Sequence, residues 1–157
     1  MALKERINLP GEARTWYGEL PVQSLYTAGD AGDRFLKTLK EKDQFMGSPC
    51  TACGEVYVPP KLYCEKCMAE LKDWIKVGPD GALESWTEVH VGLDGKRLAQ
   101  AQLVGLIRLD GATTSMVHLL AGAEPNDLCI GMRMTPVMKP AAKREGAITD
   151  ILHFRPK

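Results

Sequence analysis

Two Cys-x-x-Cys pairs, Cys50-Thr-Ala-Cys53 and Cys64-Glu-Lys-Cys67, stand ten residues apart in this chain. That spacing lets two short loops aim four thiolates at one centre, and a zinc ion takes four such ligands tetrahedrally at roughly 2.3 Å. The residues between the pairs suit the same reading. Gly54 follows the first pair, where a tight turn favours positive φ. Val56-Tyr57-Val58 is β-branched and aromatic and predicts a short strand leaving that turn. Pro59-Pro60 ends the strand and sends the chain back towards Cys64. The expectation is a zinc ribbon with Cys50, Cys53, Cys64 and Cys67 as ligands to one structural ion.

Other uses of four cysteines fit less well. Two disulfides need an oxidising compartment, and Met1-Ala-Leu-Lys-Glu-Arg6 lacks the apolar run of a secretory signal. Iron in a rubredoxin-like centre would use the same four residues, usually across a longer connection. With every position filled by cysteine, the metal has no open site for water or substrate, so it should brace structure rather than catalyse.

At 157 residues the chain makes one domain or two small ones. Twenty basic residues balance twenty acidic ones, and 45% hydrophobic content is enough for a core. No apolar run approaches the roughly 20 residues of a membrane-spanning helix. A soluble, cytoplasmic protein is expected.

Four segments follow in order. Residues 1–29 carry Trp16, Tyr17 and Tyr26 among Pro and Gly with no regular period, which predicts an extended arm lying over another surface. Residues 30–46 predict a helix with Phe35, Leu36 and Leu39 as its apolar stripe and Asp30 or Asp33 as N-cap. Residues 47–72 are the ribbon. Residues 73–157 read as β: Trp74 to Val77, then an alternating stretch with Leu83, Ser85, Thr87, Val89 and Val91 on one face. Further runs cover residues 98–109, 113–120, Gly131 to Lys139 and Ile148 to Phe154, with Asp94-Gly95 and Asp110-Gly111 as turn signals. Many strands with little helix between them predict a five-stranded Greek-key barrel of the oligonucleotide/oligosaccharide-binding (OB) type. The fold class is α+β, mainly β.

This order resembles a family of unknown-function proteins that joins a rubredoxin-like zinc ribbon to a C-terminal OB-fold and accompanies acyl-CoA thiolases. The resemblance spans roughly residues 24–139. It is carried by Phe35-Leu36, Cys50-x-x-Cys53-Gly54, Pro59-Pro60-Lys61, Cys64-x-x-Cys67 with Trp74, Gly81-x-Leu83-x-Ser85-Trp86-Thr87, Val104-Gly-Leu-Ile107 with Leu109-Asp110-Gly111, and Ile130-Gly131-Met132. Two places depart from it. Lys61 and Cys64-Glu65 stand where Arg and Cys-Pro are usual, and Ala101-Gln102-Leu103 replaces a Pro-Tyr segment. The resemblance implies an accessory subunit in a hetero-oligomer, with a thiolase-type partner carrying the chemistry on an acyl-CoA such as benzoylsuccinyl-CoA. CoA would be bound by the partner or shared with it. An acyl-CoA hydratase or an aldolase is the alternative partner.

No catalytic residue is assigned to the chain itself. Cys129 lies in Leu128-Cys-Ile130, an apolar setting that predicts a buried, inert thiol. His90, His118 and His153 fall on separate predicted strands, and no phosphate loop or nucleophile elbow occurs. Lys139, Lys143, Arg144 and Arg155 form a basic group that would meet CoA phosphates or stay solvated. A single-stranded nucleic-acid binder is the other class to weigh. It would draw its affinity from Lys and Arg on phosphate, which a neutral chain with few barrel aromatics supplies poorly.

Overall fold

The computed structural model describes residues 26–157, so the expected arm, with Trp16 and Tyr17, lies almost wholly outside the described residues. The first element is helix α1, Gly29–Lys42, which buries Ala31, Phe35 and Leu39. It stops earlier than the sequence suggests. After Leu39 the next positions on that face are Lys42 and Asp43, so the apolar stripe has run out. Asp43 turns left-handed at φ 55° and closes the helix through its N–H on the Leu39 carbonyl. Phe45–Pro49 is therefore strand β1, not the end of a helix reaching residue 46. Phe45 still meets the helix, with its ring 6.4 Å from that of Phe35. The expected Asp caps are also corrected. The N-cap is Ala28, without a side-chain bond, Asp30 sits in the first turn, and Asp33 pairs with Lys37 at 2.7 Å.

Strand β2, Val56–Tyr57, and strand β3, Ile75–Val77, flank β1 in a three-stranded sheet ordered β2-β1-β3. β3 was expected to open the barrel run. Instead it pairs back to β1, with Phe45 opposite Val77.

Five strands close the barrel: β4 (Gly81–Val91), β5 (Arg97–Leu109), β6 (Met116–Leu120), β7 (Arg133–Met138) and β8 (Ile151–Pro156). Their order is β4-β5-β6-β8-β7, with β8 parallel to β6 at Leu120–Phe154 and antiparallel to β7. That is the first-second-third-fifth-fourth order of the OB Greek key. At the seam Gly81 is required: a Cβ there would lie 2.5 Å from the Arg108 carbonyl oxygen. The barrel interior holds Leu83, Ile107, Leu109, Met134, Ile151 and Phe154, all buried. One continuous core joins them to Phe35, Leu39, Phe45, Val58 and Val77, so helix, small sheet and barrel share an interior.

Three expectations about the strands need correction. The pairing of β4 with β5 steps from Leu83–Ile107 to Ser85–Leu106, which makes Glu84 the extra residue of a bulge. An extra residue swaps the faces of everything after it. Ser85 and Thr87 are exposed while Trp86 and Glu88 are half-buried, the reverse of strict alternation. Second, Thr113 to Ser115 precede β6 instead of opening it. The Thr113 and Thr114 hydroxyls face the ribbon, where Thr113 Oγ1 accepts the Val56 N–H and Thr114 Oγ1 the Val58 N–H, each at 2.8 Å. Third, Ile148–Asp150 is a 3-10 turn ahead of β8.

Asp150 explains that turn. Its fully buried carboxylate accepts the N–H groups of Glu145 (3.0 Å), Gly146 (2.7 Å) and Ala147 (3.3 Å), and Lys139 Nζ lies 3.6 Å away. Burial pushes its pKa up, but the three N–H groups and Lys139 together hold it below the ordinary carboxylate value. A folded-state pKa below the unfolded one contributes stability above the unfolded value, lost as pH falls through the folded one. Asp150→Ala should therefore cost roughly 1–3 kcal/mol at neutral pH, the usual cost of stranding buried donors. It should also flatten the loss of stability below about pH 4. Urea titrations of both proteins at neutral and acid pH check this; parallel pH curves would refute it.

Candidate metal centre

The two cysteine pairs fold into loops of the same shape. In the first, Cys50 donates its N–H to the Glu55 carbonyl and accepts from Gly54 N–H at 2.8 Å. In the second, Cys64 donates to the Ala69 carbonyl and accepts from Met68 N–H at 2.9 Å. Gly54 has φ 78°, and Met68 occupies the matching position at φ 61°. A methionine accepting that left-handed conformation is not readable from the sequence. The loop shape imposes it, because the N–H after each pair must turn back onto the first cysteine.

This symmetry brings all four expected sulfurs together. Cys50 Sγ lies 3.5 Å from Cys67 Sγ, and Cys53 Sγ lies 3.5 Å from Cys64 Sγ. The four sulfurs all lie within 4.8 Å of one another. Four sulfurs at 2.3 Å around a tetrahedral ion sit about 3.8 Å apart, so this cluster fits one zinc ion. Cys50 and Cys64 are buried, Cys53 is half-buried and Cys67 is exposed.

The local electrostatics favour a cation. Tyr57 Oη lies 3.2 Å from Cys64 Sγ. That hydroxyl, helped by the Cys67 and Lys66 N–H groups against burial, pulls the Cys64 thiol down to about 6. In return Cys64 pushes the Tyr57 hydroxyl up to about 12. For Cys53 the Glu55 N–H favours the thiolate, but burial and the three neighbouring sulfurs win and raise it to about 12. Crowded thiols resist ionising together, and a divalent ion removes that conflict by deprotonating its ligands. The sequence alone marks Tyr57 only as a strand residue. The available signal was the alternation Val56-Tyr57-Val58, which turns the ring away from both valines and towards the cysteines. Beyond it, Glu55 joins Lys66 at 3.1 Å and accepts a hydrogen bond from Thr113 Oγ1, linking this end of the ribbon to the barrel.

Among the described residues, Cys129 and the three histidines form no further group of three metal-ligating side chains. Cys129 is exposed, contrary to the expected burial, because Leu128 takes the buried position and the chain then turns outward through Ile130 to Gly131 at φ 87°. His90 is exposed, 3.5 Å from Glu88, and His118 packs edge-on to Phe154 at 5.7 Å. Among the described residues, the four cysteines form the one cluster of three or more metal-ligating side chains. The basic group is partly committed within the fold. Lys139 faces Asp150, while Arg144 reaches Asp43 at 3.2 Å and bonds the Lys139 carbonyl.

Two family models match the chain: ChsH2, rubredoxin-like zinc ribbon domain, over residues 41–70, and ChsH2, C-terminal OB-fold domain, over residues 74–139. A DUF35 domain-containing scaffold protein of Methanocaldococcus jannaschii is 25% identical over 126 residues, covering 78% of this chain and 89% of that one. A protein of the same description from Methanothermobacter thermautotrophicus is 20% identical over 127 residues, covering 79% and 95%. Among solved structures, a DUF35-family protein of unknown function from Sulfolobus solfataricus superposes with a TM-score of 0.63 at 22% identity, covering 82% and 87%. The Ltp2-ChsH2(DUF35) aldolase superposes at 0.56 with 22% identity, covering 79% and 93%. At that identity the two structures speak for the fold.

Proposed function

Because the chain belongs to the family that joins a ChsH2-type rubredoxin-like zinc ribbon to a ChsH2-type OB-fold, we propose that it is the non-catalytic accessory subunit of an acyl-CoA-processing complex. The partner is a thiolase-type subunit, which makes or breaks a carbon–carbon bond with CoA on an aromatic acyl-CoA such as benzoylsuccinyl-CoA. One observation carries the reading. The four thiolates that would hold the ion, from Cys50, Cys53, Cys64 and Cys67, would saturate it, and among the described residues they form the one group of three or more potential metal ligands. Zinc held by these four cysteines would cross-link the two loops. Tyr57 orients Cys64, the backbone N–H groups of Glu55 and Ala69 steady Cys53 and Cys67, and Thr113 with Thr114 seats the ribbon on the barrel. The relatives described as scaffold proteins support a companion role.

A second reading has one observation in its favour: the ChsH2 protein of similar fold is named together with Ltp2 as an aldolase. An aldolase partner would then replace the thiolase. A nucleic-acid role has less support, since the chain is neutral and half of its expected basic cluster is paired. The test is to assay the zinc-loaded chain alone and after co-expression with thiolase-type and aldolase-type subunits, following CoA-dependent thiolysis and retro-aldol cleavage. The expected result is no turnover by the chain alone and thiolysis only in the assembled pair. Thioester conversion by the solitary chain, or partner activity indifferent to its presence, would overturn the proposal.

A further inference from the structure

The outer face of the barrel across β5, β6 and β8 carries apolar side chains that none of the described residues covers. Val117 is 65% exposed, Leu119 42%, Leu152 43% and Ile148 41%. With Val104 and Ile151 they line a groove of about 440 Å³. A wider cleft of about 840 Å³ adjoins it and shares Leu119 and Leu152, so the surface is continuous. Among the described residues, the lining of that cleft includes Glu88, Glu124 and Asp127, one histidine, and no lysine or arginine. In an OB-fold the second and third strands, here β5 and β6, present the usual ligand face.

The chemistry of this face selects its occupant. Nucleic acid or a CoA phosphate would want cations and stacking rings, and the cleft offers carboxylates and leucines. A purely hydrocarbon ligand is also a poor match. Gln100 and Gln102 line the adjoining cleft beside the carboxylates, and their amides call for hydrogen-bonding partners. An extended polypeptide meets all three demands, since it carries alternating apolar side chains, backbone donors and acceptors, and cations where its sequence places them.

Resting on the accessory-subunit reading, we propose that this face docks an extended, apolar and lysine- or arginine-bearing segment of the catalytic partner subunit. Its apolar residues lie over Val117, Leu119 and Leu152, and its cationic end meets Glu88, Glu124 and Asp127. The occupant is a partner rather than a second copy because the face is apolar and acidic, and a copy would bring carboxylates against carboxylates.

The probes are two synthetic peptides of about twelve residues, enough at roughly 3.3 Å per residue to cross the face. One alternates leucine with lysine, and its counterpart carries glutamate in place of lysine. Each is titrated onto the zinc-loaded full chain while methyl NMR signals of Val117, Leu119 and Leu152 are followed. The cationic peptide should shift those signals and bind at least about tenfold more tightly than the anionic one. Val117→Asp, at an exposed position, should weaken it by a similar factor without changing the melting temperature, and Glu124→Lys with Asp127→Lys should reverse the charge preference. Equal binding of both peptides, shifts confined to other surfaces, or a wild-type dimer that Val117→Asp dissociates would each overturn the proposal. In the assembled complex the two ideas separate. If the partner assembles and Val117→Asp leaves it bound, the docking face is wrong and the accessory role stands. If no acyl-CoA enzyme assembles while the cationic peptide still binds here, the accessory role fails and the polypeptide-docking face stands.

Discussion

Cys64→Ser is expected to lose the metal, unravel residues 50–71 and abolish assembly with the catalytic partner, while the barrel stays folded. The packing around the cysteines shows why the effect should be that large. The ribbon's metal end has its own small core of Cys50, Tyr57, Cys64 and Leu71, separate from the main interior. Ordering a residue costs on the order of 1–2 kcal/mol. A buried apolar side chain contributes roughly 1.5–3 kcal/mol, and only Tyr57 and Leu71 in that core are not cysteine. Structural zinc in zinc-finger peptides supplies apparent binding energies of about 10–16 kcal/mol at neutral pH, enough to decide whether these loops fold. Cys50→Ser and exhaustive chelation should act the same way. Amide hydrogen exchange should show protection lost over residues 50–71 and kept across β5, with metal content per chain falling in parallel. Normal protection and normal assembly in the serine variant would contradict a structural metal.

Phe154→Ala should be the most damaging single change in the barrel. Phe154 is fully buried on β8 at the place where the fold closes. It stands opposite Leu120 of β6 and Pro136 of β7, and its carbonyl accepts the Ala121 N–H at 2.9 Å. Its ring also packs edge-on to His118. Emptying such a site costs about 3–5 kcal/mol. For a chain of this size each kcal/mol moves the melting temperature by roughly 2–4 °C. Denaturant titration of the zinc-saturated protein measures it, and a loss below about 1 kcal/mol would mean that the parallel β6–β8 closure is held elsewhere.

What could be read beforehand divides by the range over which each feature is encoded. The cysteine pairs are local: ligand type and spacing sit within residues 50–67, so their convergence was legible, as was the turn at Gly54. Asp94-Gly95 likewise marked the hairpin between β4 and β5, where Gly95 has φ 74°. The pairing of β3 with β1 was not legible, because Ile75 to Val77 alternates like any barrel strand and its partner lies some thirty residues earlier. The helix end was missed because Phe45 is as apolar as Phe35, and only the left-handed Asp43 separates them. The bulge at Glu84 left no local mark. Its reason is tertiary: the bulged carboxylate reaches Arg108 Nε at 2.8 Å and accepts from Ser115. Cys129 was misjudged because two apolar neighbours suggest burial, and a turn spends only one of them, Leu128, on the core.

The central claim is that sulfur closes the metal site and leaves reactivity to the partner. X-ray absorption at the zinc edge of the purified chain addresses it most directly. The account predicts a shell of four sulfurs at about 2.3 Å and nothing lighter, unchanged when the partner and an acyl-CoA are added. A zinc-bound oxygen, or a shell that changes on adding the thioester, would contradict it.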